Sequence, residues 1–264
     1  MTLRKRYVVS TLIIISVGLP FLQLLLWSTS NRWFYPGLLP QSWGIRAWEY
    51  VFGTAGDQII VSIFQSAGVA AVTALISLMI GVPAGRTLGL YQFKGKDLIS
   101  VLLILPIIVP PLCVAMGLHL WFIRLGLADS FAGVVLVHLT FCLPYTVFVM
   151  WGVFSNYNPD FEAQARSLGA STFKVVMRVM LPMTLSGMVV AALFSFLLSW
   201  SQYLATLIIG GGKVMTLPIL LFSLMESGDR PVASAVSIVF VLPAFLALLP
   251  SAKYLGRRST AGVW

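Results

Sequence analysis

The sequence predicts an all-α, polytopic membrane protein with six transmembrane helices. Three observations predict it. Of 264 residues, 59% are hydrophobic and only 9% charged, against about 25% charged in a soluble domain. The apolar residues fall in six continuous runs, each near the roughly 20 residues that a bilayer core requires, whereas a β-barrel would show short alternating segments. The net charge of +9 would suggest nucleic acid on a soluble chain. Here the Lys and Arg residues stand at the ends of the apolar runs, where membrane topology explains them.

The first run, residues 7–27, follows Arg4-Lys5-Arg6. It is too long for a secretion signal, and no small-x-small cleavage site follows, so it reads as a retained anchor. The next segment, residues 28–57, carries Trp33, Tyr35, Trp43, Trp48 and Tyr50. Rings with an apolar body and a polar edge favour the headgroup level, which places part of this loop along the outer interface. The second run, 59–81, bears small residues at Ser62, Ser66, Ala70, Ala74, Ser77, Gly81, Gly85 and Gly89. This spacing keeps them on one helical face, where small side chains let backbones approach closely in lipid. The neighbour is either another helix of this chain or a second, similar subunit.

The third run, 98–120, contains Pro106, Pro110 and Pro111. The last two remove helix donors and clash with the preceding turn, and broken backbone is tolerated in a membrane only where protein or a water-filled cavity satisfies it. Pro144 in the fourth run, 131–151, and Pro243 in the sixth, 232–249, add kinks. This pattern suits a bundle lining a path that opens and closes. The fifth run, 183–209, carries Ser199-Trp200-Ser201-Gln202-Tyr203 late in its length. Its hydroxyls, amide and aromatic edges make Ser199, Ser201, Gln202 and Tyr203 pathway candidates, with Tyr145. His119 and His138 lie in or near runs and read as hydrogen-bonded packing residues. Cys113 and Cys142 lie within apolar runs and read as buried, inert thiols.

Charge sets the orientation. With the N-terminus inside, inner segments hold Arg4, Lys5, Arg6, Arg86, Lys94, Lys96, Arg166, Lys174, Arg178, Lys253, Arg257 and Arg258. Outer segments hold Arg32, Arg46, Arg124, Lys213 and Arg230. The imbalance puts both termini in the cytoplasm. It also puts inside the polar block at about residues 155–182, the most informative stretch of the chain.

Asn158 caps a helix whose first position is Pro159, with Asp160 near its positive end. Phe161, Ala165 and Leu168 share one face, and Glu162 pairs with Arg166 at i, i+4. Gly169 suits a left-handed C-terminal position. Ser171 or Thr172 caps a second helix, with Phe173, Val176, Met177 and Met180 on one side and Lys174 and Arg178 on the other. Pro182 lets the next span start in a new direction. Two capped helices form a knob that fits a soluble partner, too organised for a plain connection of about 2–8 residues.

The block resembles the EAA loop of permease subunits of binding-protein-dependent ABC importers. Gly169, Val179, Leu181 and Pro182 match the family's distances. The family triplet falls on Ala163-Gln164-Ala165, of which only the last alanine survives, and the acid stands one residue early at Glu162. The resemblance runs over about residues 58–250, including Leu143-Pro144-Tyr145 and Thr216-Leu217-Pro218. It looks most like the second permease of the spermidine/putrescine, ferric iron and aminophosphonate branch.

The resemblance implies a single permease domain, a MetI-like six-helix bundle in the bacterial inner membrane, catalytically silent. It implies a second permease, a cytoplasmic ABC ATPase dimer holding ATP and Mg²⁺, and a periplasmic solute-binding protein, with no cofactor on this chain. The loop residues expected at the ATPase are Phe161, Glu162, Ala165, Leu168, Gly169, Ala170, Ser171, Phe173 and Pro182. The solute would be a polyamine, an aminophosphonate or other small polar compound, or ferric iron.

A polycation is put in doubt for this subunit by the lack of an acid near Ser201 and Gln202. A stand-alone secondary transporter is the alternative, but all eight acids lie in the loop segments, which leaves no intramembrane site for a coupling ion. No convergent His, Asp, Glu or Cys set supports an enzyme. Gly210-Gly211-Gly212-Lys213 is no phosphate loop, since Leu207 replaces the required Gly and Val214 the required Ser or Thr.

Overall fold

The computed structural model describes residues 3–34 and 36–256. Tyr35, Arg257 and Arg258 lie outside the described residues, as do the side chains of Arg4, Lys5, Arg6 and Lys253. The elements are α1 (Leu3–Ser28), the short antiparallel pair β1 (Ser30–Arg32) and β2 (Ser42–Trp43), α2 (Arg46–Phe52), α3 (Gly56–Leu90), α4 (Lys96–Ile108), α5 (Pro111–Arg124), α6 (Phe131–Ser155), α7 (Asp160–Ser167), α8 (Thr172–Val175), a π-helical turn (Val176–Met180), α9 (Leu181–Trp200), α10 (Leu204–Gly210), α11 (Leu217–Glu226) and α12 (Arg230–Gly256). Among the described residues, five helices are long and apolar enough to cross a bilayer, and α4 with α5 makes a sixth span if counted as one broken span. The all-α expectation holds, with the small β1–β2 pair as its one addition.

Three of the six runs differ from their expected form. The third is not a kinked span but two helices at 102°. Val109 is forced into extended backbone (φ −71°, ψ 134°) by the proline that follows, and Pro111 opens α5, where its missing N–H costs nothing. The fifth run stops at Trp200, and after a break Leu204–Gly210 form the separate helix α10. The second runs on to Leu90, nine residues past its expected end at Gly81.

Contacts divide the chain into two compact units. The first comprises the residues up to Phe64 together with Thr216–Phe245. In it Trp27 stacks on Trp33 with centroids 4.4 Å apart, the Arg230 guanidinium lies 5.5 Å from the Trp27 ring, and Arg46 holds Asp229 through two bonds of 2.8 and 2.9 Å. The second unit comprises Gln65–Met215 and the residues from Leu246. Its centre is α6, two-thirds buried along its apolar window. Ser130 starts that helix by accepting the Gly133 N–H at 3.0 Å.

The small-residue stripe of α3 packs within the chain. A Cβ at Gly81, Gly85 or Gly89 would stand 2.5–2.6 Å from Thr146, Met150 and Phe154 of α6. Both sets recur every four residues in the same sense, so the two helices cross in parallel as a ridge in a groove. Cys142 is buried as expected, but Cys113 is exposed; α5 turns Ala115 and Phe122 rather than Cys113 into the core shared with α6.

Candidate functional site

The knob after α6 is built from local signals. Asn158 Oδ1 accepts the Asp160 N–H at 2.9 Å, and Pro159 already has helical backbone. At the other end Ala170 N–H bonds to Ala165 C=O at 3.0 Å and Gly169 N–H to Arg166 C=O at 2.9 Å. With Gly169 at φ +83° this is a complete Schellman closure of α7. Ser171 then caps α8, its Oγ 3.5 Å from Lys174 N–H. Thr172 is the first helical residue rather than the cap.

Pro182 does not redirect the chain. From Thr172 to Trp200 the helix is continuous. Pro182 would clash with an ordinary turn. The π turn takes up the misfit, and Leu181 N–H reaches back to Val176 C=O. This extra residue rotates the second knob helix. Val175 and Met180 point inward, and Phe173 and Met177 point out. The expected single face of Phe173, Val176, Met177 and Met180 is therefore not formed.

Beneath the knob sits Glu162, 2% exposed. Its Oε2 accepts from Arg86 at 2.8 Å and from Arg166 at 3.0 Å, and its Oε1 from the Tyr157 hydroxyl at 3.0 Å. Burial pushes its pKa up, but the Arg86 and Tyr157 hydrogen bonds and the two nearby guanidinium charges more than offset that and hold it below the usual range. Burial and the bond to Glu162 push the Tyr157 hydroxyl up to about 12. Arg86 also directs Nη1 to Met180 Sδ at 2.8 Å, so one side chain touches both α7 and the π turn that follows α8.

The i, i+4 pair was legible in the sequence, but Arg86 and Tyr157 were not assigned to the site. A usable signal existed for Arg86, a cation set between Gly85 and Gly89 on the stripe. The outward face carries Phe161 (46% exposed), Leu168 (89%) and Phe173 (69%). Ala163 and Ser171 are also exposed, and Ala165 and Ala170 are half-buried.

The pathway candidates do not stay together. Ser199 is buried, its Oγ 2.7 Å from His138 Nδ1, and His138 Nε2 lies 2.9 Å from Thr206 Oγ1. This ties α6, α9 and α10 together, the packing role expected of His138. Ser199 is thus a structural hydroxyl. Ser201 and Tyr145 are exposed, and Gln202 and Tyr203 are half-buried in the break after α9. No group of three or more His, Cys, Asp or Glu that could hold a metal occurs among the described residues.

The profile of the binding-protein-dependent transport system inner membrane component matches residues 80–260. The chain belongs to this family. The permease is 26% identical over 221 residues to the spermidine/putrescine transport system permease protein PotC of Haemophilus influenzae, covering 83% of this chain and 85% of that one. It is 26% identical over 213 residues to the trehalose transport system permease protein SugB of Mycobacterium tuberculosis, covering 79% and 76%. Its fold matches a chain of the bacterial alginate ABC transporter in complex with an alginate-bound periplasmic protein (TM-score 0.71, 14% identity, 99% and 96% covered). It also matches a chain of the MetNI methionine ABC transporter (TM-score 0.62, 15% identity, 76% and 96% covered). The permease therefore has the MetI-like bundle and is a multi-pass membrane subunit of an ABC importer.

Proposed function

We propose that this permease forms a solute pathway with a second permease and seats its α7–α8 knob in a cytoplasmic ATPase. One observation carries the reading. A polar loop exposes Phe161, Leu168 and Phe173 on α7, closed at both ends, and on α8, capped by Ser171 and continuous with α9, with α7 fixed from beneath. Apolar side chains held out by a rigid support suit a partner's cleft. The excess of Lys and Arg in the inner segments supports a cytoplasmic knob and cytoplasmic termini. ATP and Mg²⁺ would be held by the ATPase, where the chemical step would take place, and a periplasmic protein would deliver the solute. The solute is small and polar, with spermidine and putrescine first to be tested, given the names of the relatives. Tyr145, Ser201, Gln202 and Tyr203 are neutral, so recognition of a cation would fall to the binding protein and the partner permease.

The test is co-purification. Burying a Phe side chain contributes roughly 1.5–3 kcal/mol, so Phe173→Ala should weaken ATPase association about tenfold or more. The partner permease and the thermal stability of the membrane part should be kept. Retained association and solute-stimulated ATP hydrolysis in both Phe161→Ala and Phe173→Ala would place the contact elsewhere.

A further inference from the structure

We propose that Arg86 is a positioning residue that makes α3 the span driven by the knob. The inference rests on the knob being the ATPase contact and goes beyond it by naming the route that motion takes. The covalent route from the knob runs through the π turn Val176–Met180 into α9. A π turn is a local irregularity of the helix and often marks a functional joint. A push on α7 along that route can be absorbed there. Arg86 bypasses the joint. Its Nη2 donates to Glu162 on α7 at 2.8 Å, and its Nη1 reaches Met180, the last residue of the π turn, at 2.8 Å.

Charge-assisted bonds to a buried carboxylate resist displacement, because parting them leaves a charge uncompensated. Glu162 faces no other cation among the described residues than Arg86 and Arg166, and Arg166 belongs to its own helix. The tie to α3 is thus made by Arg86. On either side of it Gly85 and Gly89 lie against α6 with no room for a methyl group. The knob, α3 and α6 are joined as one body, the arrangement that carries a rigid-body displacement.

The experiment uses the complete transporter in lipid nanodiscs, with this permease, its partner permease, the ATPase and the binding protein. Spin labels are placed at Ala163→Cys on α7 or Thr87→Cys on α3, each paired with a label on the partner permease. Pulsed EPR distances are compared without nucleotide and with ATP–vanadate, so no solute identity is needed. In the wild type both labels should shift. In Arg86→Gln and Glu162→Gln the α7 label should still shift and the ATPase stay bound, while the α3 shift falls to at most about half.

The reversed pair Arg86→Glu with Glu162→Arg should restore the α3 shift. If a neutral variant fails to insert, Arg86→Lys keeps the charge but not both contacts, and its α3 shift should be intermediate. An unchanged α3 shift in both neutral variants overturns the proposal, as does no gain in the reversed pair. So does loss of the ATPase with both shifts, which would mean that the tie only supports docking. A wild-type complex whose α7 label ignores nucleotide would refute the functional reading instead.

Discussion

Gly85→Ala adds one methyl group where α3 meets α6, and its effect can be worked from the structure. The new Cβ would stand 2.5 Å from Met150 Cβ and 2.8 Å from both Met150 C and Trp151 N. Optimal carbon contacts lie at about 3.5–4.0 Å. Two of the three atoms met are backbone, so no rotamer change clears them and the helices must part by about 1 Å. That movement also loosens the contacts at Gly81 and Gly89, since all three face α6. Overpacking of this kind costs about 1–3 kcal/mol. The better helix propensity of Ala returns at most about 1 kcal/mol.

Gly117→Ala is the matched control. It makes the same change in helix α5, with nothing within 4 Å of the new carbon. The assay is thermal unfolding of the purified complex, followed by loss of the monodisperse peak. Gly85→Ala should unfold roughly 2–12 °C below Gly117→Ala, where the propensity gain cancels, while Gly117→Ala itself should be unchanged or higher than the wild type. Equal midpoints for the two variants would refute the close parallel crossing of α3 and α6.

Gly169 has positive φ but open space around it. Gly169→Ala should cost only the backbone strain of about 1 kcal/mol, and Gly169→Val should abolish transport while the protein still reaches the membrane; normal uptake by the Val variant would remove Gly169 as a pivot. The Glu162 pKa is lowered by folding, so its stabilisation is present above the unfolded value of about 4.3 and lost as pH falls through the lowered one. Hydrogen exchange in the knob should therefore be flat from pH 8 to about 5 once intrinsic rates are corrected, and loosening between pH 7 and 5 would contradict the buried ion pair. The Arg46–Asp229 pair lowers the Asp229 pKa through its hydrogen bond but is partly exposed. Asp229→Asn should lower stability by less than about 1 kcal/mol, less again in high salt; a drop of several kcal/mol would show a buried role instead.

Most of the fold could be read because lipid makes simple demands. Residues 131–151 must be a span by length and composition alone, and the caps at Asn158 and Ser171 and the closure at Gly169 depend on residues within a few positions. What could not be read depends on distant partners or on how a misfit is resolved. Arg86 and Glu162 are 76 residues apart, and nothing in either segment names the other. The sequence around Pro182 allows a break or a continuous helix, and the continuous form, with its π turn, is the one that buries Val175 and Met180. Ser199 has the composition of a pathway residue, yet His138 takes its hydroxyl. The stripe left two neighbours open for the same reason, since small residues say how near a helix comes but not which one.

The misplaced acid of the knob follows from helix geometry. At 3.6 residues per turn, one step along α7 rotates a side chain by about 100°. The position where the family resemblance puts its acid is Ala163, which is exposed, and the acid one step earlier, Glu162, is buried at 2%. A shift of one residue thus takes the carboxylate from the face that would meet a partner to the face that meets this chain's own α3. Its charge cannot serve both. On the outward side Phe161, Leu168 and Phe173 stand exposed beside the charged Asp160, Lys174 and Arg178, so docking draws on apolar area and shape together with a screened contribution from those charges. On the inward side the same carboxylate holds two guanidinium groups and a phenol in place. Returning an acid to the outward face, Ala163→Glu with Glu162 kept, separates the two roles. If they are independent, the salt dependence of ATPase association should change while the thermal midpoint of the membrane part stays the same. A lowered midpoint would mean that position 163 is not free of the support beneath it.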